Sequence, residues 1–209
     1  MHPPAVPPLV RDLRHAYFGA ILADPPWAFK SYAKSKNPQS DRHVERHYRT
    51  MTRDEIKALP IRKYAATTGC HLFLWTTGPM LPQALETMAA WGFRYSGIAF
   101  TWVKLKKSHN ANQLRILPSA DGDFHVGLGF TTRKNTEFCL LGRVGNARRQ
   151  AKDVRELIIA PRREHSRKPD ETRERIERYC QGPYLELFGR SQRKNWTVRG
   201  DEAEKFDAS

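Results

Sequence analysis

The amino-acid sequence predicts an α/β protein in which a mostly parallel sheet carries helices on both faces. Two observations predict this class. Short apolar segments alternate along the chain with segments whose apolar residues recur at helical spacing. Prolines and glycines separate these segments, as they do at the ends of strands and helices. With 209 residues and 39% apolar side chains, the chain is long enough for one domain with a substantial core.

Seven short apolar segments are the predicted strands. The first, Tyr17–Ala23, ends at Asp24, because the two prolines that follow cannot continue a central strand. His71–Trp75 is almost entirely apolar, which is typical of a strand that is buried on both faces. The other predicted strands are Tyr95–Val103, Glu137–Leu141, Glu156–Ala160, Leu185–Phe188 and Trp196–Val198.

Three segments are predicted helices: Arg53–Leu59, Leu81–Trp91 and a segment from about Ser166 to Cys180. Thr52 followed by Glu55 is the capping-box pattern at the start of the first helix. Gly92 ends the second helix, in which apolar residues recur at helical spacing. Ser166 is the predicted cap of the third helix, with Pro169 in its first turn.

The sequence predicts a single domain, with three regions outside the regular pattern. These are a proline-rich N-terminal tail (1–15), a long loop (105–130) and an acidic C-terminal end (201–209). Prolines stand where a signal peptide needs an apolar run, and no apolar run reaches the roughly 18 residues of a membrane span. The three cysteines are far apart, which predicts neither a disulfide framework nor a cysteine zinc site. We therefore expect a cytoplasmic protein without membrane contact or bound metal.

The net charge of +14 and the pI of about 10.0 favour a polyanionic partner such as nucleic acid. The cations concentrate in predicted loops that also hold Trp, Tyr, His and Asn, the mixture used for phosphate contact and base stacking. The candidate phosphate contacts are Lys34, Lys36, Arg46, Lys104, Lys106 and Lys107. A solvated basic surface is the alternative explanation of the same charge.

The tetrapeptide Asp24-Pro25-Pro26-Trp27 is the most specific local pattern. It follows a predicted strand, and ligands of open α/β sheets bind beyond the carboxyl ends of strands. A carboxylate there can accept a hydrogen bond from an exocyclic amine, and the peptide bond before Pro25 has no N–H to compete. Trp27 offers a stacking face, so the pattern favours a planar base with an amino group. The alternative is a stiff turn whose Trp27 packs into the core.

Further segments occur along the chain in an order that is known from one family. They are ILADPPWAF (21–29), RHYRTMTRDEI (46–56), HLFLWTTGPMLPQALETMAAWGFRY (71–95), FTWVK (100–104), GLGFTTRKNTEFCLLGRVG (127–145), REHSRKPDE (163–171), and YLELFGR with NWTVRG (184–200). Together they resemble the MT-A family, the seventy-kilodalton-subunit type of S-adenosylmethionine-dependent adenine-N6 methyltransferases. The resemblance implies a Rossmann-like class I methyltransferase of permuted order, with the catalytic strand early and the cofactor strands last.

The resemblance implies direct transfer of a methyl group from S-adenosylmethionine to the N6 amine of adenine. The implied catalytic residues are Asp24, Pro25, Pro26 and Trp27. Asp24 and the Pro25 carbonyl would accept the two N6–H bonds, and Trp27 would stack on the base, so that positioning and electrostatics do most of the catalysis. His47 and Tyr48 fall in the family's loop after the catalytic strand and are expected to cover the acceptor base.

The same resemblance implies a set of cofactor contacts. They are Asp24, Lys168, Glu186, Gly189, Arg190, Asn195, Asp201 and Glu202. Lys168 would pair with the methionine carboxylate and Asp24 with its amine, while a lysine on the surface is the alternative for Lys168. Members of the family commonly carry Asn followed by Gln or Glu where this chain has Asp201 and Glu202, so the chain departs from the pattern there.

We expect DNA as the acceptor, because the chain lacks the long extension and zinc-finger cysteines of eukaryotic RNA-methylating relatives and looks bacterial or phage-like. Methylation of adenine in RNA or of cytosine N4 in DNA stays open. A catalytically inactive, nucleic-acid-binding subunit is a different class of function, which the intact Asp24–Trp27 motif and Lys168 disfavour. A homodimer, or a heterodimer with a related subunit, is expected by family analogy.

Overall fold

The chain folds around a seven-stranded sheet in a computed structural model that describes residues 7–27, 51–107, 124–127, 132–164, 167–201 and 203. The strands are β1 (Ala20–Ala23), β2 (Gly69–Thr76), β3 (Arg94–Leu105), β4 (Thr136–Gly145), β5 (Leu157–Pro161), β6 (Tyr184–Leu187) and β7 (Trp196–Arg199). The α-helices of the described residues are α1 (Arg53–Lys57), α2 (Leu81–Ala90) and α3 (Glu171–Tyr179). Short 3₁₀ turns occupy Pro8–Val10, Ile61–Lys63 and Gly78–Met80.

The strand order across the sheet is β5-β3-β4-β2-β1-β6-β7. β4 pairs antiparallel with β2 and β3, whereas the remaining neighbours pair parallel. The carboxyl ends of six strands and the amino end of β4 therefore lie at one edge, which we call the carboxyl edge. The chain leaves β1 toward β2 on one side and returns to β6 on the other, so β1 lies at a topological switch point, where ligands of such sheets bind.

Helices cover both faces of the sheet, which confirms the predicted fold class. Ile21 and Leu72 belong to a buried cluster with residues of α1 and α2, and Leu22 and Phe73 belong to a second cluster with Ile176 of α3. Alternating residues of one strand point to opposite faces, so β1 and β2 are mostly apolar on both faces, with His71 and Thr76 as the buried polar residues of β2. The Asp24–Trp27 segment follows the first strand and β6 and β7 come last, in the permuted order that the resemblance implies.

The starts of two helices test the sequence predictions. Thr52 Oγ1 accepts a bond from the Glu55 N–H (3.2 Å), and Glu55 Oε2 accepts one from the Thr52 N–H (2.7 Å), so the capping box is confirmed. The predicted start of α3 was wrong, because the helix begins at Glu171 and Ser166 lies outside the described residues. A residue that precedes proline avoids the helical region, so Pro169 keeps Lys168 out of the helix.

Part of the predicted N-terminal tail belongs to the folded domain. Pro8–Val10 forms a 3₁₀ turn, and Val10 and Leu13 are 1% and 7% exposed within the buried cluster of α1 and α2. Part of the predicted long loop also returns to the sheet, since Phe124 pairs with Leu105 in an isolated antiparallel bridge. None of the helices in the described ranges has the length and apolar character to cross a membrane.

Candidate active site at the carboxyl edge

Asp24 follows β1 at the centre of the carboxyl edge, and the turn after it is tied to β2. The Trp27 N–H donates to the Pro25 carbonyl (2.8 Å), and the indole Nε1 of Trp27 donates to the Trp75 carbonyl at the end of β2 (3.1 Å). Pro25 is buried, whereas the side chain of Asp24 is 24% exposed. The turn thus has a fixed shape and presents one carboxylate to the solvent.

Asp24 and three other charged side chains from separate segments meet at this edge. Lys168 Nζ lies 2.6 Å from Asp24 Oδ2 and 3.3 Å from Glu137 Oε2. Glu137 Oε1 in turn pairs with Lys104. The four side chains are between 15% and 24% exposed. We call these residues (Asp24, Lys168, Glu137 and Lys104) the charge network; its two carboxylates and two ammonium groups balance.

Strand alternation brings the network to the face that α3 covers. Lys104 and Glu137 lie two residues from Trp102 and Cys139, which belong to the buried cluster on that face. The antiparallel β4 enters the sheet between β2 and β3, so Glu137 at its amino end reaches the same edge as Asp24. Lys168 comes from the extended segment before α3, and its ammonium group also lies 5.6 Å from the centre of the Trp75 ring.

The network keeps Glu137 and Lys168 charged. Burial raises the pKa of Glu137, but the ammonium groups of Lys168 and Lys104 outweigh burial and hold that pKa below its ordinary value. Burial lowers the pKa of Lys168, but the carboxylates of Asp24 and Glu137 outweigh it and raise that pKa above its ordinary value. Glu137 and Lys168 are therefore both ionised at neutral pH.

Neither Glu137 nor the ion pair of Lys104 was predicted from the sequence. A glutamate inside an apolar strand is a signal in itself, because a buried carboxylate needs a partner. Its partners depend on the position of β4 in the sheet, which local patterns do not show. Lys104 was predicted to contact phosphates; its ammonium group pairs with Glu137 and its side chain is 17% exposed, so at least one of its N–H donors is used within the charge network.

Two cavities meet at Asp24. The smaller has a volume of about 50 Å³ and lies toward α3, between Lys168, Arg173 and Glu186. The larger has a volume of about 400 Å³, lies toward the N-terminal turn, and has a size typical of small-ligand pockets. The residues that line both are Asp24, Phe188 and Arg190. Asp24 thus lies between the two cavities, and a ligand that fills both would contact it.

Glu186 of β6 faces the smaller cavity. Arg173 of α3 lies 2.7 Å from its carboxylate. Burial raises the pKa of Glu186 to about 7, and Arg173 lowers it only in part. This carboxyl group therefore titrates near neutral pH. Phe188, two residues on, has a φ of +62°, a conformation that is rare for a bulky side chain and common at functional sites.

Two glycines let the ends of β6 and β7 approach each other. The Gly189 N–H donates to the Arg199 carbonyl (3.0 Å). A Cβ atom on Gly189 would lie 2.4 Å from Val198 Cγ1, and one on Gly200 would lie 2.4 Å from the Gly189 oxygen. Gly189 also lines the larger cavity, so its backbone faces the space that a ligand would fill.

Asn195 is not brought together with the other predicted cofactor residues. It precedes β7 at the edge of the sheet opposite the carboxyl edge, and it is exposed. Its φ of +69° explains an asparagine there, because Asn tolerates the left-handed conformation. The length of β7 separates it from Asp201, which lines the larger cavity. The assignment of Asn195 to cofactor binding is corrected on this ground.

Several other predicted residues have simple placements. Lys106 and Lys107 are exposed just beyond β3, at the carboxyl edge. Among the described residues, no three His, Cys, Asp or Glu side chains are grouped as metal ligands. The predicted residues that lie outside the described ranges are Lys34, Lys36, Arg46, His47, Tyr48 and Glu202.

Comparison with known proteins places these features in a family. The sequence profile of the MT-A70 family matches residues 18–202. The type II methyltransferase M.MunI from Mycoplasma sp. is 30% identical over 200 residues, which cover 88% of this chain and 77% of that protein. The N(6)-adenosine-methyltransferase MT-A70-like protein of Arabidopsis thaliana is 31% identical over 189 residues, and the human N(6)-adenosine-methyltransferase catalytic subunit METTL3 is 32% identical over 191 residues. The matches cover only 24% and 28% of these two longer proteins.

Proposed function

Because the chain belongs to the MT-A70 family of N6-adenine methyltransferases, we propose that it transfers a methyl group from S-adenosylmethionine to N6 of adenine in DNA. The observation that carries the proposal is the ionic contact of Asp24 with Lys168 at the switch point of the sheet, where two cavities meet. The name of the Mycoplasma relative, a type II methyltransferase, favours DNA. RNA is the second candidate acceptor, because other relatives are named for adenosine, the ribonucleoside.

The residues around the two cavities fit S-adenosylmethionine. Pro8, Leu9 and Met51 give the larger cavity apolar walls, and the carboxylate of Asp201 at its rim suits the hydroxyl groups of a nucleoside. Lys168 has three N–H donors, of which two serve Asp24 and Glu137, so one is left for the methionine carboxylate. When bound, S-adenosylmethionine supplies an electrophilic methyl group.

The chain's own residues would orient the acceptor amine. The N6 lone pair of adenine is delocalised into the ring, and a hydrogen bond from N6–H to Asp24 favours a pyramidal N6 whose lone pair is localised for attack. The Pro25 carbonyl already accepts one bond, from the Trp27 N–H, and its second lone pair can accept the other N6–H. Positive charge develops on N6 during transfer, and the fixed carboxylate of Asp24 stabilises it until N6 loses one proton and becomes the neutral methylamine. In a duplex, the base must first leave the stack.

A transfer assay tests this function. The purified protein is incubated with methyl-labelled S-adenosylmethionine and, separately, with duplex DNA, single-stranded DNA or RNA, and the products are resolved as nucleosides. We expect N6-methyldeoxyadenosine from DNA. The matched control is DNA in which hypoxanthine replaces adenine, because this base lacks the N6 amine. Label in RNA alone would show that RNA, not DNA, is the acceptor. N4-methylcytosine as the product would overturn the assignment of adenine as the methylated base.

Cofactor binding is expected to strengthen as the pH rises from about 6 to about 8. An ionised Glu186 accepts hydrogen bonds from ligand hydroxyl groups better than a protonated one, and its pKa is raised to about 7 by burial. The ionised fraction grows about tenfold over this interval, so the dissociation constant for S-adenosylmethionine should fall by up to about tenfold. Calorimetric titration at several pH values measures it.

Two variants check the cause of this pH dependence. Glu186→Gln should bind more weakly and show a nearly flat pH profile. Glu174→Gln, which removes an exposed glutamate of α3, should keep the profile of the native protein. The same slope in Glu186→Gln would assign the titration to another group.

A further inference from the structure

An arginine and a histidine form a pair at the carboxyl edge, at the β5 side of the sheet, and no carboxylate of the described residues pairs with either of them. Arg162 Nη1 lies 2.9 Å from His125 Nε2. A guanidinium group can only donate, so Nε2 must accept, and the ring of His125 is neutral with its proton on Nδ1. The contact itself therefore supplies no negative charge to Arg162.

The main chain fixes both residues to the end of β3. The His125 N–H donates to the Lys104 carbonyl (2.8 Å), and the Arg162 N–H donates to the Leu105 carbonyl (3.1 Å). Both side chains are half-buried rather than free in solvent. Hydrogen bonds to the main chain of β3 therefore fix the positions of both residues.

In the part of the chain that the structure describes, carboxylates pair with other cations of this region but not with Arg162. Arg163 lies 2.6 Å from Asp170, and Lys104 pairs with Glu137. Within the described ranges, no aspartate or glutamate oxygen lies within 4.0 Å of the Arg162 guanidinium. Burial lowers the pKa of His125, and the charges of Arg162 and Lys104 lower it further. The site is electropositive, and a bound anion would neutralise its positive charge.

We infer that Arg162 and His125 bind a phosphate of the nucleic-acid backbone, on the side of the acceptor base away from the cofactor cavities. The inference rests on the proposed function. The cavities lie toward β6 and the N-terminal turn, whereas β4, β3 and β5 extend from Asp24 in the other direction. Lys106 and Lys107, exposed beyond β3, lie along the same path. A strand of nucleic acid over this half of the edge would meet these cations in turn.

The contact concerns nucleotides that flank the acceptor base. Four strand spacings of about 4.8 Å separate β5 from β1, so the pair lies at least about 19 Å from Asp24. At about 3.4 Å per nucleotide along one strand, the contact is about six or more nucleotides from the target. The pair therefore contributes to binding of the polymer and not to the chemical step.

Binding of a fluorescein-labelled DNA single strand of about 20 nucleotides tests the inference by fluorescence anisotropy at several salt concentrations. Arg162→Ala should weaken binding about tenfold and reduce the slope of log K against log salt by about one. Arg162→Lys should keep most of the slope, because it keeps the charge. The affinity for S-adenosylmethionine and, in the transfer assay, kcat should not change.

The matched control is Arg149→Ala, which removes an exposed arginine beyond the carboxyl end of the antiparallel β4, at the opposite edge of the sheet. An equal loss in this variant would mean that net charge alone binds DNA, and would overturn the inference. Unchanged binding by Arg162→Ala would overturn it as well. The two proposals can fail separately. If Arg162→Ala binds DNA more weakly and with a smaller salt slope, the phosphate site is supported. If the native protein at the same time transfers no methyl group to any polymer, the proposed function is contradicted.

Discussion

Replacement of Asp24 by asparagine is expected to reduce the rate of methyl transfer by about 10²–10³-fold, the usual cost of losing one electrostatic contact to a transition state. Asparagine has nearly the size of aspartate and retains a carbonyl acceptor, but it carries no charge to stabilise the positive charge that develops on N6. The ionic contact with Lys168 Nζ, 2.6 Å away, is also lost. Initial rates at saturating cofactor and DNA measure the effect.

The matched control is Asp153→Asn, which removes an exposed carboxylate that pairs with Arg178, outside the candidate site. This variant should retain the native rate, since exposed ion pairs contribute little. Circular dichroism should show that both variants are folded. A rate for Asp24→Asn within tenfold of the native value would contradict the role assigned to Asp24 and would favour a binding subunit over an enzyme.

Replacement of Glu137 by glutamine is expected to lower the free energy of unfolding by about 3 kcal/mol, because removal of one partner from a buried ion pair leaves the other charge uncompensated. Here the ammonium groups of Lys104 and Lys168 lose the carboxylate that they share, and Asp24 is the one carboxylate of the charge network that remains. Lys168 would then no longer be held from both sides beside Asp24. We expect the transfer rate to fall by about 10–100-fold, as for other small displacements of catalytic groups. Urea unfolding and the transfer assay measure the two effects.

The pH dependence separates loss of the charge from a change of packing. The pKa of Glu137 in the folded protein lies below its ordinary value of 4.5. Its stabilisation is therefore complete above about pH 4.5 and is lost as the pH falls through the lowered value. The stability difference between the native protein and Glu137→Gln should shrink over the same range. A difference that stays constant would assign the effect to packing.

Glu156→Gln is the control for this variant, because it makes the same charge change at an exposed glutamate that accepts a bond from Thr101 (2.6 Å). Its stability should change by less than about 0.5 kcal/mol. Equal stability and equal activity of Glu137→Gln and Glu156→Gln would show that the charge network does not position Asp24.

Short-range patterns in the sequence determined much of the fold. The two prolines after Asp24 predict where β1 ends, since their side-chain rings exclude them from a central strand. Thr52 and Glu55 predict the start of α1, because a capping box joins groups only three residues apart. The position of Asp24 beyond a parallel strand follows from the same local reasoning together with the rule for α/β sheets.

Only the tertiary structure decided which charges meet at the candidate site. Lys104, Glu137, Asp24 and Lys168 come from β3, β4, the end of β1 and the segment before α3, and they meet because the antiparallel β4 lies between β2 and β3. Strand order depends on the packing of the whole sheet, and no local pattern encodes it. For the same reason the sequence predicted Lys104 to be a surface cation, and it could not predict that Glu137 pairs with Lys104 and Lys168. A buried charge has its role set by its neighbours in space, since Coulomb energies in a poorly solvated site depend on distances of a few ångströms.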